Sequence, residues 1–182
     1  AQETGIIPQN PCRKIKIQSR EAKDQRVLSR SEQEKLRGAA VFQDDLPTLL
    51  GLYTGMRLGE VCALKWSDID WEKKTVTVRR TAQRAARLEN SAGKRTLLMI
   101  GTPKSRRSHR TLPIPDFLFA LLKKAFLAAA DADAFIFGKA GHAAEPRTIQ
   151  RRFQRKMRSL GFARVHFHTL RHSFATRLME LG

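Results

Sequence analysis

The 182-residue sequence predicts an α+β domain that is mostly helical and carries a small antiparallel β-sheet. Apolar residues recur at helical spacing in the first third of the chain and again in the last third. Between them lie three short runs of β-branched and apolar residues, which are typical of strands. Hydrophobic residues make up 41% of the chain and charged residues 29%, which favours one globular domain with a core.

Three helices are predicted in the first third of the chain. The first begins at Ser31, because serine caps helix N-termini and the acids that follow it suit the helix dipole. The second covers 45–53, where four apolar side chains share one face, and Gly55 ends it. The third begins near Arg57, and the sequence Trp-Ser-Asp at 66–68 breaks its pattern.

Strands are predicted at 75–78, 96–100 and 110–114. The sequence Pro-Lys-Ser at 103–105 lies between the last two and is typical of a turn. We therefore expect a small antiparallel sheet with a basic hairpin.

Three more helices are predicted towards the end of the chain. They run from 115 to about 130, from Pro146 to Gly161, and from near His168 onward, and proline suits the first turn of the second one. The core stripe predicted for the last helix consists of Leu170, Phe174, Leu178 and Leu181.

Residues 1–26 show little periodicity, and we interpret them as an N-terminal tail or an interdomain connector; the domain itself is assigned to 27–182. No apolar run approaches the length of a membrane span, and the first residues do not form a signal sequence. Cys12 and Cys62 match no zinc or redox spacing, so we expect them to be reduced in the cytoplasm and predict no metal or other cofactor.

Charge is the strongest signal for a partner, since 35 Lys and Arg oppose 17 Asp and Glu and give a net charge of +18. Ten basic residues and one acid lie between 79 and 110, and nine basic residues and no acid lie between 146 and 179. Solvated faces usually mix signs, and a membrane surface favours a basic amphipathic helix with bulky apolar anchors. Nucleic acid is therefore the favoured partner. The predicted DNA contacts are Arg79, Arg80, Arg106, Arg107, Arg110, Arg147, Arg151 and Arg155.

Two arginines are candidates for direct contact with a phosphate. Arg57 follows a glycine turn and opens a helix, and Glu60 on the same face could hold its guanidinium; an ordinary surface ion pair is the alternative. His168 and Arg171 share one helix face, which suits acid–base work on a bound phosphate. A structural histidine is the alternative there, and a metal pair with His172 is disfavoured because no carboxylate or cysteine is near in sequence.

Lys104 lies in the predicted turn, within the most basic part of the chain. A lysine there can deliver a proton, which an arginine cannot readily do. On position alone, a plain phosphate contact is the better interpretation.

Taken together, these segments resemble the tyrosine recombinases of phages and transposons. Thr-Gly-Met-Arg-Leu-Gly-Glu at 54–60, Thr-Pro-Lys-Ser at 102–105 and His-Thr-Leu-Arg-His at 168–172 occur in that family's order. The resemblance covers roughly residue 27 to the end and implies the catalytic-domain fold of that family. It also implies that the chain stops before the end of that domain, and that a DNA-binding domain precedes the connector.

The resemblance also implies roles. Arg57 and Arg171 would clamp the non-bridging oxygens of the scissile phosphate, Lys104 would protonate the departing 5′ oxygen, and His168 would bind the phosphate and assist proton movement. Glu60 would support Arg57. The family forms a 3′-phosphotyrosine intermediate without metal or ATP, and it works as a tetramer on paired DNA sites in the bacterial cytoplasm, on the nucleoid when bound to DNA.

One feature departs from the family pattern. The only tyrosine, Tyr53, precedes Arg57 and fits the core stripe of its helix, whereas the family's nucleophile follows the His-x-x-Arg segment. We therefore expect this chain to bind DNA without cleaving it.

Three rival functions explain part of the sequence. A non-enzymatic DNA- or RNA-binding module explains the charge but not the ordered motifs. A metal-dependent nuclease would need paired carboxylates, and the only close acidic set is Asp68, Asp70 and Glu72, which we interpret as turn and surface residues. A type IB topoisomerase shares the chemistry, but the segment at 54–60 favours a recombinase.

Overall fold

A computed structural model describes residue 5 and residues 25–86, 96–102, 109–129, 131–139 and 141–181. Its helices are α1 (Arg30–Gly38), α2 (Phe42–Thr54), α3 (Leu58–Cys62), α4 (Asp116–Phe126), α5 (Pro146–Ser159) and α6 (Phe167–Glu180). Its strands are β1 (Ile69–Asp70), β2 (Thr75–Val78), β3 (Thr81–Ala86), β4 (Thr96–Gly101) and β5 (Arg110–Pro113). This is the predicted α+β class. Within the described ranges, no helix is long and apolar enough to cross a membrane.

The first three helices lie where the sequence predicts them, with shifted ends. α1 is capped by Ser29 rather than by Ser31, because the Ser29 hydroxyl accepts from the Glu32 N–H while the Glu32 carboxylate accepts from the Ser29 N–H. α2 ends at Gly55, which has the left-handed φ of 64° expected of a glycine after a helix. Arg57 is the N-cap of α3, as predicted.

The strands form two small antiparallel sheets, and this corrects the predicted hairpin. β4 pairs with β3, whereas β5 pairs with β2 in a sheet of order β1-β2-β5. β3 was missed because its sequence, Thr-Ala-Gln-Arg-Ala-Ala, lacks the alternation of a half-buried strand. Six positions of β3 pair with β4, while β5 places Leu112 opposite the fully buried Val76.

Two of the C-terminal helices match their predicted starts closely. Pro146 occupies the first turn of α5, whose buried face is Ile149, Phe153 and Met157, and Gly161 follows the helix with a φ of 75°. α4 begins after Pro115 but ends at Phe126, short of the predicted end near residue 130.

The predicted core stripe of α6 is correct only in its first half. Leu170 is fully buried, whereas Leu178 and Leu181 are 53% and 83% exposed. The last turn is held by polar contacts instead, to the first residue of α1 and to the residues just before it. Arg177 donates to the Leu28 carbonyl, and Glu180 pairs with Arg30.

The core joins α2 to the neighbouring helices and to the three-stranded sheet. Its large, fully buried side chains include leucines of α1, α2 and α4 together with Phe153, Met157 and Leu170. Glu60 and Asp68 are acids buried at the edge of this core, with 2% and 4% exposure. Buried carboxylates need compensating partners, and both acids are paired with arginines.

Candidate active site

The turn between α2 and α3 brings the two candidate phosphate-binding arginines to the same place. Arg171 on α6 donates from Nη1 to the Gly55 carbonyl at 2.5 Å. A Cβ added to Gly55 would lie 2.5 Å from Cδ1 of Phe174 on the same helix. Glycine is therefore required here both by its positive φ and by the close approach of α6.

Arg57 lies at the exposed N-terminus of α3 and is anchored by Glu60. Its backbone N–H donates to Glu60 Oε2 at 2.8 Å, and its Nη1 donates to Glu60 Oε1 at 3.0 Å. The Arg57 side chain is 49% exposed while that of Glu60 is 2% exposed. Within the described ranges Arg57 makes no other side-chain hydrogen bond, so part of its guanidinium faces outward and can receive an anion.

Glu60 has a second arginine partner that the sequence analysis did not connect with it. Arg110, the first residue of β5, donates from Nη1 and Nη2 to the two Glu60 oxygens at 3.0 and 2.8 Å. Burial alone would raise the pKa of Glu60. The hydrogen bonds from Arg110 and Arg57 outweigh burial and lower this pKa, so the carboxylate is ionised at neutral pH.

Gly59 lies between these two residues and lets β3 approach α3. A Cβ at this position would lie 2.6 Å from the carbonyl oxygen of Ala82 and 2.6 Å from Oγ1 of Thr81. The glycine at 59 is thus explained by packing against a strand, and the contact joins the two-stranded sheet to the site.

His168 and Arg171 on α6 face the same region as Arg57. Loss of hydration lowers the pKa of His168, and the electrostatic influence of His172, Arg171 and Arg57 lowers it further. The pKa of Arg171 is lowered first by loss of hydration and then by Arg57 and Arg110. His168 is therefore neutral near pH 7 and able to accept a proton beside a group of cations. Its ring lies edge-on to that of His172, with 4.5 Å between the ring centroids.

Lys104, Arg106 and Arg107 lie outside the described residues. The described residues on either side of them, however, are close to α3. Gly101 pairs with Thr81, which contacts Gly59, and Arg110 binds Glu60. Gly101 and Arg110, the described residues that flank this stretch of sequence, therefore lie beside the candidate site.

The predicted DNA contacts fall into two structural groups. Arg147, Arg151 and Arg155 follow one another at every fourth position of α5, are exposed, and form no ion pair with an acid among the described residues. They lie on the side of α5 away from its buried face and form a row of cations that a DNA backbone can contact.

The second group is engaged with buried acids. Arg80 donates to both oxygens of Asp68 at 2.7 and 2.6 Å, and the more exposed Arg79 lies 3.6 Å from the same carboxylate. Arg110 binds Glu60 with two nitrogens, Nη1 and Nη2, one to each carboxylate oxygen, whereas both bonds of Arg80 come from Nη2. The sequence does contain a signal for these pairs, because an acid within an apolar segment needs a cationic partner; it does not identify that partner.

Asp68 and Asp70, two of the acids that a metal-dependent nuclease would need, are bound to other groups of the protein. Asp68 is occupied by two arginines, and Asp70 accepts from the backbone N–H groups of Glu72 and Lys73. No group of three potential metal ligands occurs within the described ranges. Their surroundings therefore favour structural roles for Asp68 and Asp70.

Comparison with known proteins agrees with this geometry. Residues 21–182 match the sequence model of the phage integrase family. The chain belongs to the phage integrase family. Its resemblance to tyrosine recombinases, drawn from three short motifs, is thereby confirmed.

Individual relatives of this integrase-family chain are longer proteins. It is 27% identical over 194 residues to a XerC-like tyrosine recombinase of Caldanaerobacter subterraneus subsp. tengcongensis, covering 97% of this chain and 48% of that protein. It is 32% identical over 145 residues to the tyrosine recombinase XerA of Pyrococcus furiosus, covering 78% of this chain and 42% of that protein. The chain spans about half the length of the curated relatives that it matches.

Solved structures show the same fold. The Tn1549 transposon integrase in complex with a circular intermediate DNA superposes with a TM-score of 0.70 at 20% identity, over 90% of this chain and 56% of that one. The integrase from mycobacterium phage Brujita superposes with a TM-score of 0.63 at 20% identity, over 98% of this chain and 53% of that one. The predicted fold class is confirmed by these neighbours.

Proposed function

We propose that the protein to which this chain belongs is a site-specific DNA recombinase that breaks and rejoins DNA through a 3′-phosphotyrosine intermediate, in the integration or excision of a mobile element. The observation that carries the proposal is the convergence of Arg57, His168 and Arg171 beside a buried, ionised Glu60. Membership in the phage integrase family supports it, and the described residues offer no competing metal cluster.

The proposed chemistry follows from the charges of the site. Attack on a DNA phosphate builds negative charge on its non-bridging oxygens, and preorganised cations aimed there stabilise it. Arg57 and Arg171 supply these cations, and losing one such donor typically costs ~3 kcal/mol, or about two orders of magnitude in rate. Neutral His168 can exchange a proton at the phosphate, and Lys104 is proposed to protonate the departing 5′ oxygen.

The nucleophile is proposed to be a tyrosine outside this sequence. Tyr53, the only tyrosine present, is half-buried, with its ring edge-on to Phe117 at 4.8 Å between centroids. Burial raises its pKa, which is the opposite of what an attacking phenolate needs. The phosphotyrosine link would conserve the energy of the broken phosphodiester, so rejoining would need neither metal nor ATP.

DNA binding by this chain alone is part of the proposal. We propose that double-stranded DNA contacts the row formed by Arg147, Arg151 and Arg155, together with Arg79 and the basic residues near Lys104. The DNA-bound state would associate the protein with the bacterial nucleoid, and two paired sites would assemble a tetramer of the full-length protein.

A suicide-substrate assay on the full-length protein tests the activity. Arg57→Ala, Lys104→Ala and Arg171→Ala should each abolish or strongly slow formation of the covalent DNA adduct, while chelators should have no effect. Lys73→Ala is the control, because Lys73 is exposed and its partner is the turn residue Asp70. Normal cleavage by Arg171→Ala would refute the proposal. DNA binding by the full-length protein without any covalent adduct would favour a non-enzymatic DNA-binding module.

The binding surface has a test of its own on this chain. Affinity for duplex DNA is measured across a range of salt concentrations for the parent and for Arg151→Ala. A phosphate contact predicts that the slope of log affinity against log salt falls by about one per lost contact. An unchanged slope would contradict a place for α5 in the DNA interface.

A further inference from the structure

We propose that Arg110 is a positioning residue, which holds the buried carboxylate of Glu60 and through it keeps Arg57 in place for a phosphate. The inference rests on the proposed function, because it assigns Arg110 a part in the same site. It differs from the expectation that Arg110 contacts DNA directly.

Four hydrogen bonds converge on the carboxylate of Glu60. Oε1 accepts from Nη1 of Arg57 and Nη1 of Arg110, both at 3.0 Å, and Oε2 accepts from the Arg57 N–H and Nη2 of Arg110, both at 2.8 Å. A carboxylate has about four acceptor sites, so this one is saturated. Two of the four bonds come from Arg110, and the other two orient Arg57.

The two arginines that bind Glu60 differ in exposure. The side chain of Arg110 is 21% exposed, that of Arg57 is 49% exposed, and that of Glu60 is 2% exposed. The three groups thus form a series from the interior to the surface, with Arg57 at the outer end. Arg110 is suited to neutralise the buried carboxylate, and Arg57 is suited to meet a ligand.

Arg110 lies at the start of β5, in the three-stranded sheet. It is the first residue of β5 and pairs across the sheet with Val78, which is buried. Its side chain therefore joins the three-stranded sheet to α3. Arg110 therefore links the sheet to the Arg57 anchor.

The first test measures cleavage by the full-length protein at saturating suicide substrate. Arg110→Gln should slow adduct formation about tenfold, less than the roughly 100-fold typical of deleting a direct donor. Arg110→Lys should recover part of the rate. Arg84→Gln is the matched control, because Arg84 also binds a carboxylate with two nitrogens, that of Glu145, and makes no hydrogen bond or ion pair with Glu60 in the described part of the chain.

A double-mutant cycle separates positioning from direct contact. If Arg110 acts through Glu60, adding Arg110→Gln to Glu60→Gln should slow cleavage by less than about threefold further. A direct phosphate contact predicts the same fold loss in both backgrounds, together with a shallower salt dependence of DNA binding. That second pattern would overturn the inference.

A second readout does not depend on cleavage. The carboxyl carbon of Glu60 is titrated by NMR in this chain, where the charged groups that face it among the described residues are Arg57, Arg110 and Arg171. Arg110→Gln should raise the pKa of Glu60, and Arg84→Gln should leave it unchanged. If the full-length parent forms no adduct, the proposed function fails while this titration still tests Arg110. An unchanged Glu60 titration in a folded Arg110→Gln variant would refute the positioning role.

Discussion

Replacing Gly59 by alanine is the sharpest test of how the site is packed. The new Cβ would lie 2.6 Å from the Ala82 carbonyl oxygen and 2.6 Å from Oγ1 of Thr81. The hydroxyl can rotate away, but the carbonyl belongs to β3, which is paired with β4 at six positions. The strand or α3 must therefore move.

Two opposing effects set the change in the free energy of unfolding. Overpacking of this kind costs about 1–3 kcal/mol, while alanine in a helix is favoured over glycine by up to about 1 kcal/mol. We expect a net loss of roughly 1–2 kcal/mol in the free energy of unfolding. For a domain of this size that corresponds to a fall in melting temperature of roughly 2–8 °C.

Thermal unfolding followed by circular dichroism checks this result. Gly38→Ala is the matched control, since Gly38 ends α1, is exposed, and a Cβ there would meet no atom within 4 Å. It should be neutral or stabilising by up to about 1 kcal/mol. A Gly59→Ala variant at least as stable as the parent would refute the close approach of β3 and α3.

Three further predictions concern individual groups. The fold lowers the pKa of Glu60, so its ionisation stabilises the protein at pH values above the unfolded pKa near 4.5, and this stabilisation is lost as the pH falls through the folded pKa. Glu60→Gln should therefore flatten the acid unfolding curve below pH 4.5, and an unchanged curve would contradict this. The NMR titration midpoint of His168 should lie below 6.5 and rise in Arg171→Gln, and a midpoint at or above 6.5 in the parent would count against the cation cluster. Ser173→Ala should cost about 1–3 kcal/mol in urea unfolding, because the buried Leu28 N–H loses its acceptor at 2.8 Å, and a negligible loss would show that this contact is not needed.

Local sequence patterns predicted the elements whose residues interact within a few positions. The apolar spacing of α5, the first-turn proline at 146 and the glycine at 55 all matched the structure, because capping and helix faces depend on neighbours along the chain. The same reasoning failed for β3, whose pattern is weak and whose partner strand lies beyond residue 95. It also failed for the end of α6, where polar contacts with Arg30 of α1 and with the Leu28 carbonyl replace apolar packing.

For the site, the sequence by itself predicted which side chains would carry the proposed chemistry. Arg57 with Glu60, and His168 with Arg171, are three residues apart on helices, so their shared faces follow from helical geometry alone. Only the tertiary structure decided which of the many arginines serve those groups. Glu60 is bound by an arginine 50 residues away on β5, and Arg171 reaches the Gly55 carbonyl 116 residues away. Such pairings depend on which strands and helices meet, and with 35 basic residues in the chain the identity of each partner cannot be read from charge.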